Sequence, residues 1–167
     1  MTDANEFKLS LYEDELYGAE GMPEPMRQLV IFSLSSEWYG VDVAHVSEVL
    51  SPPPSITFLP NVPDHIIGII NLRGNILSVT NLKTIFGLSD QQIQEKHRIV
   101  VIDEEGTKTG LIVDGSEEVV DIPSSKIEAA VVSREGVPED MLEGQVLFDE
   151  KLIAVLRVPQ VIERTRS

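Results

Sequence analysis

Three histidines, His45, His65 and His97, are the side chains best suited to move a proton or hold a metal near neutral pH. They stand 20 and 32 residues apart, so none forms the short paired spacing of a zinc site. The 167 residues contain no cysteine, which removes thiolate metal sites, disulfides and a cysteine nucleophile. Carboxylates are plentiful, and "DEEGTK" (103–108) and "DGSEEVVD" (114–121) crowd them enough to invite a calcium assignment. Both lack the alternating ligands and distal bidentate glutamate of a helix-loop-helix calcium site. Asp and Gly at such places are what hairpin bends require. A hydrolase using Asp103, Asp114 or Glu118 as acid and base is the remaining catalytic option. A sugar cleft fits poorly with one Trp and 5% aromatic residues. There is no Walker loop, no Gly-rich dinucleotide fingerprint and no G-x-S-x-G elbow. The residue types point to no catalytic centre, no metal and no cofactor.

The more informative chemistry is a single cation in an apolar run, "GIINLRGNILSVTNL" (68–82). Arg73-Gly74 interrupts the hydrophobic residues, with Asn71 and Asn75 on either side. A planar group with five donors suits two tasks. It can bond backbone carbonyls and lock the turn, or it can supply a contact surface.

The whole chain narrows the class of partner. A formal charge of −15 and a pI near 4.4 argue against nucleic acid and against anionic membrane surfaces. The start, "MTDANEFKLSLYEDELYG", has neither a basic region nor a long apolar core, so it does not read as a signal peptide. No apolar run approaches the roughly 20 residues of a membrane helix. A cytoplasmic protein is the simplest expectation. Residues 1–27 carry seven acids and two cations and end in "GMPEPMR". They read as an acidic, flexible extension with a frayed helix around 7–16. A docking segment using Phe7, Leu11, Tyr12, Leu16 and Tyr17 is the alternative.

From Gln28 the pattern is mostly β. "QLVIFSL" and "WYGVDVAHVSEVL" are β-rich runs bounded by turn residues. "HRIVVID", "EEGTK" and "TGLIVDGSEEVVDI" read as one hairpin, and "GQVLFD", "EK" and "LIAVLRV" as another. "NLKTIFGL" reads as a short helix capped by Asn81 and ended by Gly87. "PEDML" reads as a helical turn, and a C-terminal helix begins at Val158 with proline in its first turn. "SPPPSITFLPNVP" reads as an extended linker, because its prolines lack ladder donors.

The chain also resembles itself. A shift of 70 residues lays Leu29–Phe32 on Ile99–Ile102, Gly40 on Gly110 and Glu48 on Glu118. A shift of 76 lays Gly68 on Gly144, Ile76 on Leu152 and Phe86 on Ile162. At the turn, Arg73 falls on Asp149, so the barrel plan itself does not need the arginine. Two small β-barrels on one plan follow, sharing a core and exchanging a strand. The cleft between them is the natural binding surface.

"GIINLRGNILSVTNLKTIFGL" strongly resembles the stretch around the Asn-Leu-Arg-Gly motif of CheW-like domains, the coupling proteins of bacterial chemotaxis arrays. "YGVDVAHVSEVL", "GLIVDGSEEVVDIP" and "GVPEDMLEGQVLFDEKLIAVLRV" match the family's receptor-side strands, its Val-Asp-Gly strand and its closing hairpin, in order. The resemblance covers about 28–162 and makes 28–167 a CheW-like domain. It implies a mostly β fold of two intertwined five-stranded barrels of the Src-homology-three type, with short helices, and no enzymatic activity. It implies an adaptor between the cytoplasmic tip of a methyl-accepting receptor and the regulatory domain of a CheA-like histidine kinase. It further implies recruitment to membrane-associated arrays and CheW-like ring assembly. Val46 and Glu48 match positions near the family's receptor groove, and Gly68, Asn71, Leu72, Arg73 and Gly74 match the motif itself. Ser78 and Asn81 depart from the family's usual proline and aspartate. A role in type IV pilus twitching or phototaxis is the alternative output. Nothing resembles a receiver domain.

Overall fold

A strand with one wet face alternates apolar and polar residues, so four apolar residues in a row require burial on both faces. Leu29–Phe32 and Ile99–Ile102 are such runs, and no member is more than 4% exposed. They lie in β1 (Met26–Leu34) and β7 (Arg98–Glu104). Leu29 and Ile31 point into one small core with Val120, Ile122, Val146, Ile153 and Val155. Ile99 and Val101 point into a second with Ile70, Leu77, Val79 and Ile112. The opposite faces, Val30, Phe32 and Leu34 on β1 and Val100 and Ile102 on β7, meet in one larger core between the two. Each long apolar run is therefore a wall between a barrel interior and a shared seam.

These statements rest on a computed structural model that describes residues 24–51, 54–88, 96–129 and 136–166. β1 turns into β2 (Glu37–Asp42), and a 3-10 turn at Val43–His45 leads to β3 (Val46–Leu50). Then come β4 (Thr57–Phe58), β5 (Ile66–Leu72), β6 (Asn75–Asn81) and helix α1 (Leu82–Phe86). β7 and β8 (Thr107–Val113) form a hairpin, followed by β9 (Gly115–Pro123), β10 (Leu142–Phe148), β11 (Lys151–Leu156) and helix α2 (Val158–Thr165).

The strands form two sheets, in the orders β10-β11-β2-β1-β9 and β3-β7-β8-β6-β5-β4. The second uses only the continuous stretch from β3 to β8, and we call it the contiguous barrel. The first joins the opening hairpin to the last three strands, and we call it the split barrel. Each takes a hairpin from one half of the sequence and three long strands from the other, joined by the parallel pairs β2–β11 and β6–β8. The exchange therefore involves a whole hairpin.

The internal repeat extends to irregularities. The β3–β7 ladder slips between Val46 and Glu48, and the β1–β9 ladder slips at the same place, between Ser116 and Glu118. The β5–β6 and β10–β11 ladders slip at Ile66/Gly68 and at Leu142/Gly144. Each sheet closes when the chain leaving its edge strand returns, as β4 onto β5 and as Glu128 onto Gln145 of β10. The aligned glycines lie beneath these closing segments. A Cβ on Gly68 would sit 2.1 Å from the Thr57 carbonyl oxygen, and one on Gly144 2.4 Å from that of Glu128.

The seam is packed by aromatic rings from both barrels. Tyr39 stacks on Phe32 at 6.1 Å and meets Phe86 of α1 at 5.7 Å. α1 is capped as its sequence predicts: the Asn81 side chain accepts from the Lys83 amide, and Gly87 ends it with φ +70°. α2 starts at Val158 with proline in its first turn, and "PEDML" holds a 3-10 turn at Glu139–Met141.

Three boundary readings change. "WYGVDVAHVSEVL" and "TGLIVDGSEEVVDI" each split into two strands of different sheets, because the chain crosses the seam at 43–45 and at Asp114. The β10–β11 turn is Asp149-Glu150, one residue earlier than the sequence suggests, since Lys151 pairs with Phe148. The linker carries the two-residue β4 at a sheet edge, where neighbouring prolines remove no ladder bond. The expected helix around 7–16 lies outside the described residues. Met26 and Arg27 already belong to β1, and Arg27 bonds Asp42 at 3.1 Å and Glu143 at 2.5 Å.

Candidate functional site

The β5–β6 hairpin turns through Arg73 and Gly74, at φ +53° and +84°. Two positive φ values give the two-residue turn whose twist matches the flanking strands. The Asn71 side chain accepts from the Gly74 amide at 2.9 Å and holds this turn in place. The turn aims Arg73 at β3, where Nη1 and Nη2 donate to Oε1 and Oε2 of Glu48 at 3.0 and 2.9 Å. This is a fork-on-fork pair rather than a lock on backbone carbonyls. The Glu48 side chain is 21% exposed, whereas that of Arg73 is 75% exposed. The pair thus fixes the direction of the guanidinium and leaves most of it to solvent.

Around it runs an open groove lined by Glu48, Leu72, Arg73, Ile76 and Lys108. Ile76 is 64% exposed beside two cations. An apolar centre with fixed charges at its rim is the composition of a protein contact patch. Of the residues singled out from sequence, the structure gathers Glu48, Leu72 and Arg73 on the groove, with Asn71 and Gly74 shaping its turn. Val46 and Gly68 do not line it. Val46 packs against the shared core, and Gly68 sits under the closing strand. Ile76 and Lys108 were missed. Ile76 could have been found as the apolar residue out of phase with inward Leu77 and Val79.

The acid clusters resolve into structure. Asp103 does what a hairpin bend needs, accepting from the Gly106 amide at 2.9 Å. Asp114 does more than turn the chain. It accepts from the Ser35 amide of the other barrel's hairpin at 2.7 Å, and it lies 2.5 Å from Lys83 and 3.3 Å from His97. Burial works against its charge, but the hydrogen bonds from Lys83 and Ser35, with the charges of Lys83 and His97, hold its carboxyl below the usual aspartate range. Such a group keeps no proton to donate near neutral pH. The other histidines also join segments distant in the chain: His45 lies 2.9 Å from Glu104 at the end of β7, and His65 is 3.1 Å from the Thr165 carbonyl oxygen of α2. Among the described residues no group of three or more such side chains is arranged to hold a metal, and no helix is long and apolar enough to cross a membrane.

The family model for the CheW-like domain matches residues 28–166, which spans both barrels and the groove. The chain belongs to the CheW-like family. This CheW-like chain is 27% identical over 143 residues to the chemotaxis protein CheW of Bacillus subtilis, covering 84% of itself and 89% of that protein. It is 24% identical over 147 residues to the chemotaxis protein CheW of Helicobacter pylori, covering 84% of each. Its fold superposes on the crystal structure of the scaffolding protein TtCheW from Thermoanaerobacter tengcongensis with a TM-score of 0.72 and 37% identity, covering 80% of this chain and 86% of that one. The CheW-like assignment agrees with the two-barrel topology, and it makes a chemotaxis coupling adaptor the functional class.

Proposed function

We propose that the chain is a non-catalytic adaptor coupling the cytoplasmic tip of a methyl-accepting receptor to the regulatory domain of a CheA-like histidine kinase, in arrays recruited to the membrane. The groove of Glu48, Leu72, Arg73 and Ile76 is one of its contact surfaces. The observation that carries this reading is the Arg73–Glu48 pair: a guanidinium held in direction by two hydrogen bonds yet three-quarters exposed, beside an exposed isoleucine. A preoriented cation beside an apolar patch loses little freedom on docking. The hydrolase reading finds no support at its three candidates. Asp103 closes its own turn, Asp114 is fixed in a charge cluster, and Glu118 lies on the other barrel.

Co-sedimentation with receptor fragments and kinase tests the reading. The folded chain should pellet with both, and Arg73→Glu should reduce this while leaving the circular dichroism spectrum unchanged. A folded wild-type chain that joins neither partner would overturn it.

A further inference from the structure

The internal repeat gives each barrel a helix at the same corner, and the two corners are finished differently. α1 and α2 begin at equivalent residues, Leu82 and Val158. Beside α1 the corner is filled: Lys83 and His97, 5% and 4% exposed, converge on the Asp114 carboxylate. The repeat puts Pro159 in the place of Lys83, Ala44 in that of Asp114 and Arg27 in that of His97. Proline and alanine carry no group that could make the same ion pair. A cavity of about 290 Å³ remains beside α2, lined by Arg27, His45, Glu143, Arg157 and Pro159.

One charge on the cavity wall is uncommitted. Arg27 is held by Asp42 and Glu143, and His45 lies against Glu104. Arg157 uses only Nε, which donates to the Leu142 carbonyl oxygen at 3.1 Å. It is exposed, and among the described residues it forms no ion pair. Its neighbours Leu156, Val158 and Pro159 supply apolar wall. The chain enters β1 beside this cavity, because Arg27 belongs to both. Its entry is fixed: the Pro25 carbonyl oxygen accepts from the Ser124 amide at 2.8 Å, and the Ser125 hydroxyl donates to Glu24. Upstream, "LYEDELY" (11–17) sets Glu13, Asp14 and Glu15 between Leu11-Tyr12 and Leu16-Tyr17. The residues from Tyr17 to Glu24 span at most about 25 Å, and so short a tether raises the local concentration of that segment at the cavity.

We propose that this cavity is the docking site of the chain's own segment 11–17. A carboxylate of Glu13, Asp14 or Glu15 pairs with Arg157, and the flanking leucine and tyrosine side chains cover Pro159 and the apolar wall. The acidic extension is then a tethered ligand of the corner that the repeat leaves open. The proposal uses no residue of the Arg73 groove, and it holds whether or not that groove meets a receptor.

Paramagnetic broadening on the full chain tests it. The sequence has no cysteine, so Ser10→Cys carries a single nitroxide label. Amide signals of Ala44, His45, Arg157 and Gln160 should be lost, and those of Asn71, Arg73 and Asp149 retained. Arg157→Glu should restore the lost signals. Joint reversal by Glu13→Lys, Asp14→Lys and Glu15→Lys, which changes no residue of either barrel, should restore them too. Adding Arg157→Glu to that triple reversal should bring the loss back. Signals retained around the cavity, loss centred on the Arg73 groove, or loss indifferent to both reversals would overturn the proposal. So would loss transferred to an isotope-labelled chain lacking the nitroxide when it is mixed with a nitroxide-labelled one, which would assign the contact to a second copy of the chain.

Discussion

The guanidinium of Arg73 lies 3.0 and 2.9 Å from the two carboxylate oxygens of Glu48, twenty-five residues earlier in the chain. Because the arginine is 75% exposed, water screens the pair, and its contribution to folding is small, about 0.2–1 kcal/mol. Direction is what it provides.

Arg73→Gln should therefore change stability by no more than about 1 kcal/mol, a shift of roughly 2–4 °C for a chain of this size. Binding to receptor and kinase should fall several-fold. Urea unfolding beside a pull-down separates the two effects. A loss of several kcal/mol with proportionate loss of binding would make Arg73 a folding residue instead.

Gly68→Ala should be far more damaging, although it adds one methyl group. The new Cβ would stand 2.1 Å from the Thr57 carbonyl oxygen, and the obstacle is backbone, which yields poorly. We expect a loss of about 3 kcal/mol or more, the upper end for overpacking. Gly144→Ala should behave alike, since its Cβ would meet the Glu128 carbonyl oxygen at 2.4 Å. Chemical denaturation of both variants checks whether the two barrels depend on one closure device.

Gly74→Ala supplies the contrast. Its φ is +84°, yet nothing lies within 4 Å of an added Cβ. Only backbone strain remains, on the order of 1 kcal/mol. A melting-temperature shift clearly smaller than that of Gly68→Ala is the expected result.

Asp114 gives the fold a pH dependence whose sign follows from its surroundings. Its carboxyl titrates below the usual range in the folded chain. The stability it contributes is therefore complete above the unfolded value of about 4, and it is lost as pH falls through the lowered folded value. Asp114→Asn should flatten the stability curve below about pH 4. At neutral pH it should cost about 3 kcal/mol, because Lys83 is only 5% exposed and would lose its counter-charge. Urea unfolding of both chains from neutral pH to pH 2 measures the difference.

The strands and the repeat were legible in the sequence for a physical reason. Burial on both faces writes Leu29–Phe32 and Ile99–Ile102 as solid apolar runs, and the closing segments force glycine at 68 and 144. The exchange of whole hairpins was not legible, because the pairing of Trp38 with Ile153, or of Val79 with Gly110, joins strands that no local pattern links. Of the site, the Arg-Gly turn announced itself as a charge in an apolar run. The partner of Arg73 did not, since Glu48 reads as an ordinary strand carboxylate until the barrel closes. Asp114 looked like turn chemistry because the cation it meets, Lys83, lies on α1, two strands earlier in the chain.

The nesting of one barrel within the sequence of the other orders events during synthesis. The opening hairpin leaves the ribosome long before β9, β10 and β11 exist to complete its sheet. The contiguous barrel needs only what lies between β3 and β8, a shorter span of chain than the split barrel's β1 to β11, so its loop-closure cost is met first. It becomes the template on which the split barrel is later sealed. Until then the Val30, Phe32 and Leu34 face of the waiting hairpin lacks part of its final cover. The last-made strands are thus the clasp of the molecule. A nascent chain stalled before β10 carries an exposed sheet edge and is the species most prone to misassociation.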